Sequence, residues 1–216
     1  MSTIAIIGGS GPEGLGLALR FSKAGEHVFI GSRSLDRAEE AAAKVLEKLP
    51  EAHVSSMLNE EAAKEAEYVF LAVPFAAHFE TLQALSDAIA DKVLVDLVVP
   101  LEFDEDGARA ISVPEGSAAQ QARVAVPRAK VVSALHHLDA GHLQRIDRPL
   151  QGDIITCADH KGAKKAVMEL AEKIEYVRAL DGGGLSNSRY LEAWAAMLIN
   201  LNSIYKARTG VRITGI

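Results

Sequence analysis

The chain has 216 residues, 49% of them hydrophobic and 24% charged, with a formal net charge of −6. This is the composition of a soluble globular enzyme, and the lack of a basic stripe argues against nucleic acid as a partner. One cysteine, Cys157, excludes a disulfide framework and a cysteine-based metal site, and no apolar run reaches the roughly 18 residues that a membrane span needs.

Residues 4–7 form an apolar run of strand length at the very start, which leaves no room for a signal peptide and leads us to expect a cytoplasmic, reducing compartment. Gly8, Gly9, Gly11, Gly14 and Gly16 follow, and Gly9, Gly11 and Gly14 satisfy G-x-G-x-x-G. A helical pattern then runs to Gly25, and residues 27–30 are apolar again before Gly31, Ser32 and Arg33. Strand, glycine turn, helix and strand within about 30 residues is the context a dinucleotide fingerprint requires. Gly9 would allow a tight turn, Gly11 would admit a pyrophosphate to the backbone, and Gly14 would let the helix approach the strand. The helix N-terminus would offer free N–H groups to a phosphate. The plainer alternative is a turn that serves helix–strand packing alone.

A site for NAD usually places Asp or Glu at the end of the second strand. Here Ser32 and Arg33 stand there, Arg37 lies one helical turn on, and the first carboxylate is Asp36. Two guanidinium groups match a 2′-phosphate in charge and fork geometry, and Ser32 adds a hydroxyl, so NADP(H) is expected over NAD(H). Alternatively, Arg37 belongs to a solvated helix face and pairs with Glu40.

Residues 34–49 read as a helix with Ser34 as N-cap and Pro50 as stop. A weak strand over 53–57, a short helix near 59–67 and a buried strand over 68–73 follow, the last closed by Pro74. A helix is expected over 76–90 and a strand over 93–99, interrupted only by Asp96. Such continuous apolar runs suit strands covered on both faces. Asp96 is read as bonding backbone N–H groups of a neighbouring turn. Residues 102–116 are polar and read as a loop or lid-like excursion. Residues 117–126 read as a helix, 130–135 as a strand leading into His136 and His137, 153–157 as the last short strand, and 161–174 as a helix. Residues 187–206 form a long helical pattern, apolar over a wide arc, with Trp194 and Met197 suited to a core or a homodimer interface.

The alternation predicts an α/β fold: a doubly wound, mostly parallel, Rossmann-like sheet with a small C-terminal helical segment. The expected division is a dinucleotide-binding domain over 1–180 and the helical segment over 181–216. Ligands in such folds sit beyond the carboxyl ends of the strands, which points to 8–14, 32–33, 73–74, 98–100 and 134–140.

Four stretches carry a resemblance over nearly the whole chain: IGGSGPEGLGLALR, the GSR after the second strand, VVSALHH, and GGLSNSRYLE before the last helix. With these the chain resembles the NADPH-dependent coenzyme F420 reductases, or F420:NADP oxidoreductases. The resemblance implies hydride exchange between NADP(H) and the deazaflavin coenzyme F420. It places the phosphates on Ser10, Gly11, Pro12 and Glu13 within the Gly9–Gly14 turn, and the 2′-phosphate on Ser32, Arg33 and Arg37. It sets the nicotinamide beside Val73, with Pro74 next to it, and Val99. The two rings would meet near His136, Leu138 and Ala140, with Ala134 at the strand end completing the set. Pro12-Glu13 departs from the usual pattern by adding a negative charge beside the pyrophosphate, and His137 and Asp139 add polar groups.

Hydride transfer between two such rings needs no side-chain nucleophile, because the cofactors carry the chemistry and the protein supplies orientation and a dry pocket. No catalytic residue is therefore fixed, and no metal is expected. His136 and His137 are the candidates for polarising a cofactor carbonyl; alternatively, one of them caps a loop carbonyl. Two other functions remain open at this point: an NADPH reductase of a flavin, metal chelate or small carbonyl compound, and a non-catalytic NADPH sensor with residues 101–127 and the last helix as its protein interface.

Overall fold

The computed structural model describes residues 1–216. The chain folds in the order β1 (Thr3–Ile7), α1 (Pro12–Lys23), β2 (His27–Ser32), α2 (Leu35–Lys48), β3 (Val54–Leu58), α3 (Asn59–Glu65), β4 (Tyr68–Leu71), α4 (His78–Leu85) and β5 (Val93–Asp96). It continues through β6 (Leu101–Asp104), β7 (Gly107–Ala110), α5 (Ala118–Ala125), β8 (Lys130–Ser133), α6 (Ala140–Leu143), β9 (Gly152–Thr156), α7 (Lys161–Ala171), β10 (Val177–Asp181) and α8 (Ser188–Tyr205). Six strands form one parallel sheet in the order β3-β2-β1-β4-β5-β8.

The period-two pleat divides each central strand between two cores. From β1, Ile4 and Ile6 join Leu17 and Phe21 of α1, Val45 of α2 and Val167 of α7. Ala5 and Ile7 turn to the opposite face and join Ala62 of α3, Leu82 of α4 and Ala119 of α5. Helices thus cover both faces, and this is why the strands read as unbroken apolar runs. The doubly wound sheet expected from the sequence is present.

Four local expectations need correction. The polar excursion is a β-hairpin: β6 and β7 pair antiparallel, with Asp104 opposite Gly107. Asp104 Oδ1 accepts the Asp106 N–H at 2.9 Å, Gly107 takes φ +118°, and Asn200 of α8 exchanges two 2.8 Å hydrogen bonds with the Ala108 backbone. The strand near 153–157 is not the last, because β10 pairs parallel with β9 in a second small sheet. That sheet joins the main one through an antiparallel bridge between Ser133 and Cys157. The helix expected over 76–90 is shorter: a tight 3₁₀ turn, Phe75–Ala77, precedes α4, and after Leu85 the chain winds in turns to Asp91 at φ 65°. Finally, Ser34 sits at the α2 N-cap position, but its hydroxyl caps no N–H.

The C-terminal stretch packs on the rest of the molecule. The buried Glu192 carboxylate of α8 accepts the first N–H groups of α5, from Ala118 at 2.8 Å and Ala119 at 3.2 Å. Val211 accepts from the Asp153 N–H at 2.8 Å, so the tail runs beside β9.

Candidate cofactor-binding site

The glycine turn opens at the carboxyl end of β1. Gly8 holds φ +77°, and a Cβ there would lie 2.5 Å from the Ala72 carbonyl oxygen. The left-handed residue of the turn is therefore Gly8, not Gly9. The Gly9 N–H is shared between the carbonyls of Ile6 at 3.1 Å and Gly31 at 2.9 Å, tying the turn to β2. A Cβ on Gly14 would lie 2.5 Å from Gly9 Cα, so α1 rests on the turn only because Gly14 has no side chain. Gly11 is the N-cap and offers no side chain to the helix, and the first backbone bond there runs from Leu15 to Gly11. The N–H groups of Glu13 and Gly14 are left for an anion.

A cavity of about 740 Å³ begins at this turn and extends both ways along the carboxyl edge of the sheet. That size is normal for a small-molecule site. At one end, Ser10 and Ser32 place their hydroxyl oxygens 3.4 Å apart, beside Arg33 and Arg37. Both guanidinium groups are exposed and neither forms a salt bridge, so the Arg37–Glu40 pairing is not made. Asn59 Oδ1, at the start of α3, is buried without a hydrogen-bond partner at this end. An arginine pair, a hydroxyl and an orphaned acceptor fit a phosphorylated ribose and its base.

Midway, Val73 and Pro74 follow β4, and Val98 and Val99 follow β5. Asp96 holds the second pair in place. Its Oδ1 accepts the Val98 N–H at 2.9 Å, and its Oδ2 lies 2.8 Å from His78 Nε2, with both side chains fully buried. His78 Nδ1 lies 3.0 Å from Gln121 Oε1. Burial alone would lower the His78 pKa, but the charge and hydrogen bond of Asp96, with Gln121, outweigh it and leave it raised. The expected backbone contact of Asp96 is a single N–H two residues on in its own segment, and its other oxygen goes to a side chain, His78.

The far end is formed by the segment after β8 and by α8. Leu135 is fully buried at φ 72°, a left-handed conformation costing about 1–3 kcal/mol in a non-glycine residue, and it turns the chain into the cavity wall. His136, His137, Leu138, Asp139 and Ala140 line the cavity here, facing Ala195, Leu198, Ile199 and Asn202 of α8 and Thr209. His136 has an unpartnered Nδ1 and only a long 3.5 Å approach between Nε2 and Ser133 Oγ. Burial pushes its pKa down to about 4, so the ring is neutral at pH 7. His137 Nε2 donates to the Asp153 carbonyl at 2.6 Å, and burial lowers its pKa as well. Glu13 also borders the cavity. Burial, and next to it the charge of Asp139, push its pKa up to about 8. The negative charge expected beside the pyrophosphate is therefore absent near neutral pH.

Of the candidates, Ser10, Gly11, Pro12, Glu13, Ser32, Arg33, Arg37, Val73, Pro74, Val99, His136, His137, Leu138 and Ala140 share this one wall. Gly9 and Gly14 lie behind it as packing for the turn. Ala134 does not reach the cavity. It is fully buried in the core, because alternation at the end of β8 points it away. The sequence points to Gly8 within the 8–14 turn but not to Asn59, Phe75 and the α8 side chains. Asn59 had a signal, since it follows a strand at the carboxyl edge; the α8 residues had none, since only tertiary packing brings them there. No group of three or more His, Cys, Asp or Glu side chains is placed to hold a metal ion.

Residues 3–100 match the family model described as NADP oxidoreductase coenzyme F420-dependent. The chain is 42% identical to the F420-dependent NADP reductase of Methanothermobacter thermautotrophicus over 220 residues, covering 99% of this chain and 95% of that protein. The enzyme of the same name from Methanocaldococcus jannaschii is 39% identical over 220 residues, covering 99% and 98%. A solved structure from Arthrobacter sp. FB24 superposes with a TM-score of 0.85 over the whole of both chains at 24% identity, a likeness of fold. A likeness that runs from the glycine turn to the tail, on a fold with this cavity, makes the chain a member of the coenzyme F420-dependent NADP reductase family.

Proposed function

We propose that the protein exchanges a hydride between NADP(H) and coenzyme F420. The observation that carries this reading is one continuous cavity that leads from two unpaired arginines, past a helix N-terminus, to a second end between the 136–140 segment and α8. Relatives alike over 95% or more of their own length bear the name of F420-dependent NADP reductase. When both coenzymes are bound, their rings supply the redox chemistry, one giving and the other receiving a hydride with its electron pair.

The remaining work belongs to the side chains. Arg33, Arg37 and Ser32 grip the 2′-phosphate. The N–H groups of Glu13 and Gly14 hold the pyrophosphate, and neutral Glu13 adds no repulsion. Val73, Pro74 and Val99 press the nicotinamide into place. Leu138 and Ala140, with Ala195, Leu198 and Ile199, keep water from the acceptor side. His136, uncharged near pH 7 and with an unpartnered Nδ1, has one hydrogen bond left to offer a ring substituent.

In this reading residues 1–180 are the dinucleotide-binding domain, and the helical segment over 181–216 closes its acceptor end. The outer face of α8 exposes Tyr190, Trp194, Met197, Ile204 and Tyr205, and Phe103 of the hairpin is 69% exposed. We assign that face to a homodimer contact. No helix is long and apolar enough to cross a membrane, and we assign the protein to the cytoplasm, where its single cysteine stays reduced. The test is to mix protein, NADPH and F420 and follow the deazaflavin absorbance. Bleaching by NADPH, far faster than by NADH, is expected. Turnover of FMN or a quinone with F420 untouched would replace the acceptor.

A further inference from the structure

A second hollow, of about 540 Å³, adjoins the cofactor cavity and shares Asp139 with it. Its wall consists of Asp139, His142, Arg145, Arg148, Lys206 and Arg208, with Ala207 between the last two. On a chain of net charge −6, four permanent cations meet here with one carboxylate.

Little on the protein neutralises them. Arg208 pairs with Asp139. Arg145 is half-buried and, like Lys206, makes no salt bridge or side-chain hydrogen bond. The nearest carboxylate to Arg148 is its exposed neighbour Asp147, at 3.9 Å. His142 senses the same field: burial, then the positive charges of Arg20, Arg145 and Arg208, hold its pKa down against Asp139.

The hollow is a built feature. Arg20 of α1 is 2% exposed, and its guanidinium donates to the carbonyls of His142 and Arg145 at 2.8 Å, Leu143 at 2.9 Å and Arg148 at 3.0 Å. One buried cation thus clamps the backbone of 142–148 and leaves the side chains of 142, 145 and 148 to the wall. From the opposite side, Lys206 ends α8 at φ 48° and turns the chain so that Arg208 crosses Gly141. A Cβ on Gly141 would lie 1.9 Å from that guanidinium. With glycine there, Arg208 lies directly across the chain on its way to Asp139.

We propose that this hollow receives the anionic tail of the deazaflavin coenzyme, resting on the F420 reading above. F420 bears, beyond its ring and ribityl chain, a phosphodiester and glutamyl carboxylates, which an apolar ring pocket cannot hold. The hollow meets the cavity at its acceptor end, the place where such a tail leaves. The 2′-phosphate of NADP(H) has Arg33 and Arg37 at the other end, and the pyrophosphate has the α1 N-terminus between the two, where Gln144 donates to the Pro12 carbonyl at 2.8 Å.

The experiment is an equilibrium fluorescence titration with F420 and with F_O, the same deazaflavin without phosphate or glutamates, on the wild type and on Arg145→Ala/Arg148→Ala. In the wild type, F420 is expected to bind more tightly than F_O, with an advantage that shrinks as salt is raised. The double variant should weaken F420 about tenfold or more, the scale of a lost charge-assisted contact, and leave F_O and NADPH unchanged. Arg145→Lys/Arg148→Lys should restore most of the loss. Unchanged F_O binding also reports that the variant is folded. Equal weakening of F420 and F_O, or no weakening of F420, would overturn the tail site while leaving the acceptor assignment intact. Failure of both deazaflavins to bind the wild type would overturn both.

Discussion

Arg33 and Glu13 set the terms for the pyridine nucleotide in the proposed binding mode. Arg33 is exposed and unpaired, so its loss removes a ligand contact without unfolding anything. Arg33→Ala should weaken NADPH binding by about 1.5–3 kcal/mol, the scale of a charge-assisted hydrogen bond, and hardly move NADH. Calorimetric titration of both nucleotides reads the difference. Glu13 carries a pH signature. Its carboxyl, pushed up to about 8 by burial and by Asp139, is neutral below that pH and an anion above it. NADPH affinity should therefore fall as pH rises beyond 8, by at most about tenfold per unit for one proton, and Glu13→Gln should flatten that limb. Much of this end was legible in the sequence, because glycine spacing and the GSR stretch act through local geometry. The protonation of Glu13 was not legible. It depends on Asp139, 126 positions away in the chain, and on burial that only the fold creates.

Elements meet at polar joints that periodicity does not reveal. His78 on α4 bonds Asp96 at the end of β5 and Gln121 on α5, so one imidazole fixes three elements beneath Val98 and Val99. His78→Ala would leave the Asp96 carboxylate buried without its partner and should cost about 2–4 kcal/mol in denaturant unfolding. The raised His78 pKa also gives a direction. The stabilisation is complete below the ordinary histidine value and fades as pH rises through the higher folded one. Wild type should lose stability across that window, and the variant should not. Asp96 stood out in the sequence as a lone carboxylate in an apolar run, but its partner did not. The β6–β7 hairpin was missed although Asp106-Gly107 is a turn signal, because its flanks are polar. It holds its place through Asn200 on α8. Strand β10 was missed because Arg178 and Asp181 interrupt a run of only five residues.

At the scale of the molecule, the order β3-β2-β1-β4-β5-β8 follows from unbroken apolar strands separated by helices, and it aligns every strand's carboxyl end along one edge. That alignment makes the segments near 8–14, 32–33, 73–74 and 98–100 readable from the sequence. The acceptor end was only half readable, since α8 reaches it by packing on α5 and β7. The same helix presents an apolar outer face, on which Trp194 is 37% and Met197 55% exposed. Trp194→Glu/Met197→Glu should convert a dimer in sedimentation velocity to a monomer, with NADPH binding retained; a monomeric wild type at micromolar concentration would remove the dimer proposal.

The central claim is that one cavity brings a nicotinamide and a deazaflavin together without a side-chain or solvent intermediary. The direct measurement uses NADPH carrying deuterium at the transferred C4 position, in ordinary water, with F420 as acceptor and mass spectrometry of the reduced product. Retention of one deuterium on the reduced deazaflavin is the predicted result. Its complete loss to solvent would contradict the account.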